Sequence, residues 1–459
     1  MKPSRRDFLK GAAAAGAVLL TRPIGALSGP LGPAPQFATE RASRLFGGRW
    51  LAHADLHNHS LLSDGDGNAA AVFGSMRGAG LDVAALTDHS TLSWGLTQSV
   101  CAGNTDCQSV AGIDEASWAL TRALADGANQ DGTFVAIRGF EWSSPTLGHM
   151  NVWGSERWMD PLHTAGGGTG EGAAQFAHDE VKLPAEQMTA LDAIAKASPA
   201  SGAGMALFYE WLRAAPDRPV VGGGLDGVVG FNHPGREPGR FSNFAYDPLM
   251  GDRIVSLEIF NRREDYLFEG TDSIAVSPLN ECLEAGWRVG LLGVTDEHGI
   301  DWGYPDDKGR TGLWVTSLTR AGVAEALRAR RFFATRLRGL RLDASANGHP
   351  MGAEFSHTSG PITFRMDIDR GDEWTGKALR VSVLRRGAVM PSVQRVVDVV
   401  VPGPSAPVIE FTVDVDRADG DWIALRVTDP SVGADGRATG PYAAVGNAIA
   451  YASPFYLNA

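Results

Sequence analysis

Cysteine is scarce in this sequence, with three residues in a chain of 459. No two of them are spaced as CxxC, which excludes a zinc ribbon or a thioredoxin-like redox motif. Cys101 and Cys107 are close enough to pair across a short loop in an oxidising compartment. Cys282 lies in a helix-like stretch and is predicted to be a buried free thiol.

Long hydrophobic runs and an excess of positive charge are missing as well. The apolar run at residues 11–20 has about half the length that a membrane-spanning helix needs, so no stable membrane anchor is expected. The formal net charge is −12, and removing the +4 carried by residues 1–30 leaves about −16. Such a surface repels nucleic acid, so a small-molecule substrate is expected instead.

The serine motif GxSxG and the metal motif HxHxDH are also absent. Their absence argues against a serine hydrolase of that type and against a metallo-β-lactamase. The composition, 44% hydrophobic and 20% charged, is that of a globular protein, and the length predicts two or three domains.

The N-terminus carries paired arginines in the segment Ser4-Arg5-Arg6-Asp7-Phe8-Leu9-Lys10, followed by the apolar run. This order is typical of a twin-arginine export signal, although a disordered basic N-terminus is an alternative. We assign residues 1–30 to the signal and 31–48 to a linker. The chain is therefore expected to pass through the twin-arginine export machinery and to be periplasmic or secreted.

Short apolar runs alternate with helical patterns between residues 49 and 337. Buried strands are predicted at Asp82–Thr87, Phe134–Phe140, Gly227–Phe231, Ile254–Phe260 and Val289–Val294. Alternation of this kind predicts parallel β/α units, which gather active-site residues at the C-terminal ends of their strands. An insertion at about 155–225 interrupts this alternation of strands and helices. The insertion is either a cover over the site or a peripheral helical pair.

From residue 338 onwards the pattern changes to period-two runs separated by turn residues. These runs are Ile362–Ile368, Ala378–Leu384, Val396–Val401, Val408–Val415, Trp422–Val427 and Ala448–Leu457. An all-β, sandwich-like domain is therefore predicted at residues 338–459. It carries no cluster of metal-type side chains, so a packing or lid role is expected.

Histidines and acids recur where the predicted strands end. Nine of them are candidate metal ligands: His57, His59, Asp64, His89, Glu141, His149, His233, Asp296 and His298. Each one alone is better explained as a turn residue or as a hydrogen-bonded structural histidine. The ordered set supplies enough nitrogen and oxygen ligands for two or three divalent cations, and it predicts a metal-dependent hydrolase.

Spacing within the set supports this interpretation. His57 and His59 lie two apart in a strand and therefore share a face, and Asp296 and His298 repeat that spacing. Glu141 ends a buried strand, where a carboxylate needs a cation or donors to offset its desolvation. For Asp88, beside His89, helix or loop capping is as good an explanation as ligation.

The order of these pieces resembles the polymerase-and-histidinol-phosphatase (PHP) superfamily of metallohydrolases. Asp55-Leu56-His57-Asn58-His59-Ser60, Ser63-Asp64-Gly65 and Leu86-Thr87-Asp88-His89 match the opening of that family. The exported context, the β-rich C-terminus and the segment Val323–Thr335 are similar to its carbaryl-hydrolase-like branch. The resemblance implies an α/β fold, a distorted seven-stranded (β/α) barrel at residues 49–337, followed by the β-rich domain.

The resemblance also implies a ligand set for two or three divalent metal ions, zinc, manganese or iron. His57, His59, Glu141 and Asp296 would hold the first ion. Glu141 would bridge to a second, held also by His149 and His233, while Asp64, His89 and His298 would hold a third. Asp64 stands where many members have histidine, which favours manganese or iron at the third position, or weak filling of it.

Two hydrolytic activities follow from such a centre, because a hydroxide bridging two cations can attack phosphorus or a carbonyl carbon. A phosphoesterase is favoured by the resemblance. The alternative is a carboxyl-ester, carbamate or amide hydrolase acting on an aromatic small molecule. Trp94, Trp142 and Trp302 could form an aromatic wall for it, although tryptophans more often complete a core. A metal- or glycan-binding protein without catalysis is a third hypothesis.

Two residues outside the metal set are candidate catalytic residues. Arg236, three residues after His233, is positioned in sequence to hold a phosphate or polarise a carbonyl, or else to form a surface ion pair. Asn261, at the end of a predicted strand, is a candidate for orienting the substrate.

Overall fold

The structure, a computed structural model, describes residues 39–90, 112–144, 147–159, 203–218, 222–235, 239–268, 276–304, 308–403 and 407–459. The predicted signal, residues 31–38 of the linker and most of the helical insertion lie outside these residues, as do Cys101, Cys107, Trp94 and Arg236. Cys282 is buried and free, as predicted.

Strands dominate the described chain. They are β1 Trp50–Asp55, β2 Val83–Leu86, β3 Val135–Ser144, β4 Gly148–Trp153, β5 Val228–Phe231, β6 Ile254–Asn261, β7 Glu264–Asp265, β8 Gly290–Val294, β9 Arg310–Val315, β10 Phe332–Thr335, β11 Arg341–Ala346, β12 His349–Pro350, β13 Glu354–Ser356, β14 Ser359–Asp369, β15 Ala378–Arg385, β16 Ser392–Val400, β17 Ile409–Asp416, β18 Trp422–Asp429 and β19 Asn447–Asn458. The fold is mixed α/β with one large sheet. All five of the buried strands predicted in the first part of the chain are present, as β2, β3, β5, β6 and β8.

The helices are few and short. They are α1 Ala69–Gly78, α2 Glu115–Ala128, α3 Ala203–Arg213, α4 Pro278–Glu284 and α5 Arg320–Arg328. A further helical turn at Arg240–Phe244 has left-handed φ angles from Phe241 to Phe244. Helix α2 begins with a capping box in which Asp114 and Ser117 satisfy each other's backbone N–H groups. None of the helices in the described ranges has the length and apolar character needed to cross a membrane.

The strand directions place six strand ends at one edge of the large sheet. Strands β1, β2 and β3 are parallel, β4 is antiparallel to both β3 and β5, and β5, β6 and β8 are parallel again. The C-terminal ends of β1, β2, β3, β5, β6 and β8 therefore point the same way. Strand β2 is buried along its whole length, which explains its continuous apolar sequence.

The antiparallel strand β4 departs from the predicted parallel β/α rhythm. Pro145 and Gly148, just before His149, are residues typical of a loop that could fold this histidine back over the strand ends. Instead His149 stands on β4, which pairs directly with β3 in a hairpin, Ser143 opposite His149. The sequence gives little sign of this strand, because its polar residues Asn151 and His149 interrupt the apolar pattern.

All six predicted C-terminal strands are present, as β14 to β19. Four of them, β15, β16, β18 and β19, extend the large sheet through the pairing of β19 with β10. Strands β11, β12, β14 and β17 form a second, four-stranded sheet. A shared apolar cluster joins Leu51 and Trp314 to residues of both sheets, so no break in packing marks residue 338. A separate sandwich-like domain stays a prediction.

The C-terminal part of the linker is anchored to the second sheet by Ser43 and Arg44. Asp343 on β11 lies opposite Asp367 on β14. Arg44 and Arg341 both donate to the carboxylate of Asp367, at 2.8 and 2.5 Å, whereas Asp343 accepts from Ser43 Oγ at 2.5 Å. Burial, with the nearby Asp367 charge, raises the pKa of Asp343 to about 7.

Asp343 should therefore make the protein less stable as the pH rises. Its pKa is higher in the native state than in the unfolded chain, so its contribution is complete below about pH 4 and is lost as the pH rises through about 7. We expect Asp343→Asn to raise the free energy of unfolding at pH 8 by about 1–3 kcal/mol, with a smaller change at pH 5. Denaturant unfolding at both pH values measures this difference.

Asp369→Asn is the matched control on the neighbouring turn. Burial would raise the pKa of Asp369, but the Gly371 N–H and Arg44 hold it below its usual range, so its ionised form stabilises the fold. Its removal should lower stability at pH 8. Parallel stability profiles for the wild type and Asp343→Asn between pH 5 and pH 8 would contradict the account of Asp343.

Candidate metal centre

The ends of β1, β2, β3, β5 and β8, together with β4, bring all nine candidate ligands into one cluster. Four overlapping groups have ligand atoms within 4.8 Å of one another: His59, Asp64, His89 and His298; His57, His59 and Glu141; His57, His233 and Asp296; and His89, Glu141 and His149. Every predicted residue belongs to at least one group. Their role as ligands stays a prediction, whereas their convergence is a property of the fold.

Glu141 lies at the middle of the cluster and is fully buried. Its Oε1 atom is 3.1 Å from His233 Nε2 and 3.3 Å from both His57 Nε2 and His149 Nδ1. Its Oε2 atom is 2.7 Å from His89 Nδ1. His59 Nε2 lies 3.5 Å from the same oxygen. One carboxylate thus faces five imidazoles with two oxygens, the arrangement expected of a group that bridges two cations.

Asp296 closes the cluster on the side of β8. Its Oδ1 atom lies 3.3 Å from His59 Nε2, 3.6 Å from His57 Nε2 and 3.3 Å from His298 Nδ1. The imidazoles of His57 and His59 also face each other, with their Nε2 atoms 3.0 Å apart. The HxH and DxH pairs, 239 residues apart in sequence, therefore point at the same volume.

Asp64 and His298 form the side of the cluster that is open to solvent. Asp64 Oδ1 is 3.4 Å from His298 Nε2, and Asp64 Oδ2 is 3.6 Å from His89 Nε2. The side chain of Asp64 is 33% exposed and that of His298 is 26% exposed, against 0% for His57 and Glu141. Among the described residues, the cluster is therefore most accessible to solvent on the Asp64 side.

Two of the candidate ligands occupy a backbone conformation that side chains rarely adopt. The φ angles of His233 and Asp296 are +24° and +47°. Such conformations cost free energy and persist where the surrounding structure holds them in place, which is common at functional sites. His233 lies two residues after the end of β5, and Asp296 lies two residues after the end of β8.

A carboxylate that sequence reasoning missed supports the cluster from below. Glu258 on β6 is buried, accepts from His57 Nδ1 at 2.7 Å and accepts from the backbone N–H of His233 at 2.7 Å. A carboxylate bound to the far nitrogen of a histidine fixes the ring and leaves Nε2 free for a cation. The signal was present, because Glu258 is the only charged residue in the apolar run Ile254–Phe260.

Asn261 also contacts this supporting carboxylate. Its Nδ2 group donates to Glu258 Oε2 at 2.9 Å, and the side chain is buried. A substrate-orienting role for Asn261 stays a prediction, since the contact in the structure is to Glu258. A second amide, Asn232 Nδ2, donates to Glu141 Oε1 at 2.7 Å and holds that carboxylate in place.

Asp88 organises the loop after β1, so the structure shows capping contacts for this residue. It accepts from the backbone N–H and the hydroxyl of Ser60, at 2.7 and 2.9 Å, and from the hydroxyl of Ser63 at 2.7 Å. These three bonds tie the end of β2 to the segment between His59 and Asp64. They explain how a Ser- and Gly-rich loop holds Asp64 beside the histidines.

The two tryptophans of the proposed aromatic wall that lie in the described chain are core residues. Trp142 is buried and stacks on Phe208 with ring centroids 4.3 Å apart. Trp302 is buried and donates its Nε1–H to the backbone oxygen of His59 at 2.9 Å. Trp302 therefore positions the HxH segment, and neither ring offers a face to a substrate.

The charges of the cluster are strongly coupled. Burial alone would lower the pKa of His57, but the nearby carboxylates, Glu258 foremost, hold it well above its usual range. Burial acts likewise on His89, whose pKa the charges of Glu141 and Asp64 raise well above the usual value. Burial would raise the pKa of Glu141, but the imidazoles, led by His89, hold it well below its usual range. Buried carboxylates here thus demand positive charge, which a proton or a cation supplies.

His59 behaves in the opposite way. Burial, together with the neighbouring His298 and His89, lowers the pKa of His59 to about 3. This imidazole is therefore neutral at pH 7, and its Nδ1 atom is buried without a hydrogen bond, as is Nδ1 of His233. A buried ring nitrogen without a partner is unfavourable and needs a ligand.

The donor chemistry fits divalent cations. Six imidazoles and three carboxylates face one another, and neutral imidazole with carboxylate suits zinc, manganese and iron. The unpaired nitrogens and the supporting carboxylate Glu258 are the pattern expected around a metal centre. The residues present therefore fit the metal ions that the sequence predicts.

Comparison with known proteins confirms the export signal. Residues 2–21 match the family model for the TAT (twin-arginine translocation) pathway signal sequence. The chain thus carries a signal for the twin-arginine export machinery. Among curated proteins, no sequence matches the chain.

Metal-dependent phosphoesterases are among the solved structures that this chain is similar to. A two-domain protein from Bacteroides vulgatus, containing a predicted PHP-like metal-dependent phosphoesterase, is 13% identical with a TM-score of 0.39, covering 90% of this chain and 100% of its own. A protein from Bifidobacterium adolescentis, assigned as a metal-dependent phosphoesterase, is 13% identical with a TM-score of 0.25, covering 54% of this chain and 88% of its own. An amidohydrolase from Chromobacterium violaceum, with bound sulfate and no metal, is 16% identical with a TM-score of 0.24 and has the same coverage.

Loss of the supporting carboxylate should weaken metal binding without removing a ligand. In Glu258→Gln, His57 Nδ1 loses its charged partner, and we expect metal affinity to fall by about 10–100-fold. Competition with a metal-sensitive chelator measures the affinity. Glu410→Gln, at an exposed site on β17, is the matched control and should bind metal like the wild type. Equal affinities for the two variants would contradict the role of Glu258.

Metal binding should release protons and weaken as the pH falls. The pKa values of His57, His89 and His298 are raised, so below those values protons occupy nitrogens that a cation must take. Calorimetric titration with Zn²⁺ at pH 7, in two buffers of different ionisation enthalpy, counts the protons. Binding without proton release, or affinity that rises on acidification, would contradict this electrostatic account.

Proposed function

We propose that this chain is an exported, multinuclear metal-dependent hydrolase that cleaves phosphate esters of small molecules. The observation that carries the proposal is the convergence of nine histidine and carboxylate side chains around the buried Glu141. A cluster of this composition has little structural value on its own, because burying charged groups costs more than apolar packing. Its chemistry is that of a centre for activating water.

The ligands divide naturally around Glu141. His57, His59 and Asp296 face one end of it, His149 and His233 lie beside Oε1, and Asp64, His89 and His298 form the exposed end. His89 lies between two of these groups, because it approaches both Glu141 and Asp64. Divalent cations held there supply Lewis acidity and lower the pKa of water.

The chain's own residues orient this centre and meet the substrate. Glu258 fixes the ring of His57, and Asn232 holds Glu141. Arg262 lies at the exposed rim, with Nε 3.3 Å from Asp296 Oδ2 and Nη2 3.0 Å from His298 Nδ1, and its side chain is 41% exposed. A guanidinium there can bind the oxygens of a phosphate group and favour negative charge as it develops.

The fold around the centre supports the seven-stranded barrel that the family resemblance implies. Strands β1 to β6 and β8 are joined in one order, and a parallel bridge between Asn58 and Glu297 brings the segment after β8 back to the segment after β1. The signal supports a periplasmic or secreted location. A metal centre assembled from distant strands suits an export route that carries folded proteins.

A carboxyl-ester, carbamate or amide hydrolase is the second candidate. Leu61 and Ile300, two residues beyond His59 and His298, are 41% and 70% exposed. A hydrogen bond from the Asp66 N–H to the backbone oxygen of His298 joins their two loops. Exposed apolar side chains beside the open face of the centre suit an apolar substrate, and they replace the tryptophan wall in this role.

A panel of esters with metal analysis separates these candidates. Purified protein should contain two or more equivalents of zinc, manganese or iron, and it should release inorganic phosphate from an aryl phosphate. Chelation should abolish turnover, and His57→Ala should lower kcat/KM by at least about 100-fold. His349→Ala, at an exposed histidine on β12, is the matched control and should leave the rate unchanged.

Turnover of aryl carboxyl esters or carbamates, with no cleavage of any phosphate ester, would overturn the phosphoesterase and leave the second candidate. A full metal complement with no turnover of any ester or amide would overturn both and leave a metal-binding protein without catalysis.

A further inference from the structure

A cavity of about 480 Å³ beside the metal centre is lined by four arginines: Arg263, Arg336, Arg338 and Arg370. We call it the arginine pocket. The other lining residues in the described part of the chain are neutral. Four guanidinium groups around one cavity are unexpected in a chain whose formal net charge is −12.

The arginine pocket opens at the sheet edge that carries the metal centre. Strand β9 is antiparallel to β1, and β10 is antiparallel to β9, so β10 ends at the same edge as β1. Arg336 and Arg338 follow the end of β10 directly. The pocket therefore lies at the same edge of the sheet as the cluster.

A two-residue turn connects the pocket with the metal centre. Arg262 and Arg263 form the turn of the β6–β7 hairpin, with Asn261 paired to Glu264. Arg262 approaches Asp296 and His298, while Arg263 lines the pocket, and successive Cα atoms are only about 3.8 Å apart. The φ angle of Arg262 is +52°, a strained value that turns these neighbours in different directions.

Two of the four arginines make their hydrogen bonds and ring contacts with neutral groups, although the charge of Arg336 also acts on the buried carboxylate of Asp265. Arg336 donates to the backbone oxygen of Arg263 at 2.8 Å and lies over the ring of Phe260 at 4.4 Å. Arg370 donates to the backbone oxygen of Arg338 at 2.9 Å and lies near Trp374. These contacts fix the guanidinium groups in position without neutralising their charge. Nε of Arg336 is buried and makes no hydrogen bond.

We propose that the arginine pocket binds a phosphate-class oxyanion that belongs to the substrate, at the end remote from the scissile ester. Like charges gathered in one cavity repel one another. A bound dianion offsets this electrostatic repulsion, because it accepts charge-assisted and often bidentate hydrogen bonds from the guanidinium groups. The proposal rests on the proposed hydrolase function and narrows its substrate to small molecules with two anionic groups. In this proposal the bound anion is part of the substrate, whereas a site for free phosphate would bind an anion that is not attached to the substrate.

The first test is binding, and it does not depend on activity. Inorganic phosphate is titrated calorimetrically into the full-length, chelator-treated protein at low ionic strength. Arg336→Gln and Arg370→Gln should each weaken phosphate binding by about tenfold, the effect of one charge-assisted hydrogen bond. Arg370 is exposed, so that variant keeps the test valid if Arg336→Gln fails to fold. Arg395→Gln is the matched control, because Arg395 is an exposed arginine that also donates to a backbone oxygen, that of Thr412.

The second test assigns the anion to the substrate. With metal-loaded protein, KM is compared for an aryl phosphate and for aryl phosphates that carry a second phosphate on flexible linkers of graded length. Arg370→Gln should raise KM for at least one bisphosphate by about tenfold more than for the simple ester, with a smaller effect on kcat.

Phosphate binding that is the same in Arg336→Gln, Arg370→Gln and Arg395→Gln would overturn the pocket as an anion site. Weaker phosphate binding with no change in the KM ratio at any linker length would overturn its assignment to the substrate. Failure of the hydrolase proposal itself is distinguishable, because the protein would then cleave no phosphate ester while the calorimetric result stood unchanged.

Discussion

The buried carboxylate of Glu141 is the constraint on which the rest of the site depends. An isolated carboxylate with no exposed surface would take up a proton, because burial strongly disfavours the charged form. Here four imidazoles approach its two oxygens within 3.3 Å, and they hold its pKa well below the usual range. Glu141 can remain ionised only while positive charge is gathered around it, so its burial accounts for the surrounding histidines.

The surrounding fold fixes the positions of the histidine and carboxylate side chains. Glu258 and Asn232 take up the outer hydrogen-bonding capacity of His57 and Glu141. The positive φ angles of His233 and Asp296 store backbone strain that a plain loop would relax. Because rigid strand ends hold the ligands from several directions, the Nδ1 atoms of His59 and His233 remain buried without a hydrogen bond. Pre-organisation of this kind is what cation binding requires.

Sequence reasoning identified the inward-facing residues because their chemistry departs from their surroundings. A histidine or an acid at the end of an apolar run is conspicuous, and His57, Glu141 and Asp296 are all of that kind. The five early strands and the six C-terminal strands could be predicted for a related reason, since their apolar periodicity is strong. Strand β4 could not, because His149 and Asn151 break its apolar pattern and its identity comes from pairing with β3.

Other features depend on contacts between distant segments, which a single sequence does not display. Glu258 carried a local signal, yet its partners His57 and His233 are defined only by the sheet order. The arginine pocket draws Arg263, Arg336 and Arg370 from three connections, and nothing in their local sequence links them. Trp302 was interpreted as a possible substrate wall, but tertiary packing places it in the core beneath His59.

The location of the metal ions tests the account most directly. Crystals of the metal-loaded protein, measured on both sides of the absorption edge of the bound metal, give anomalous difference peaks at the ion positions. We predict two or more peaks around Glu141, with bonds of about 2.0–2.3 Å to its oxygens and to the histidine nitrogens. The account would be contradicted if the peaks lay elsewhere on the protein. It would also be contradicted if a fully loaded crystal showed no ion within bonding distance of Glu141.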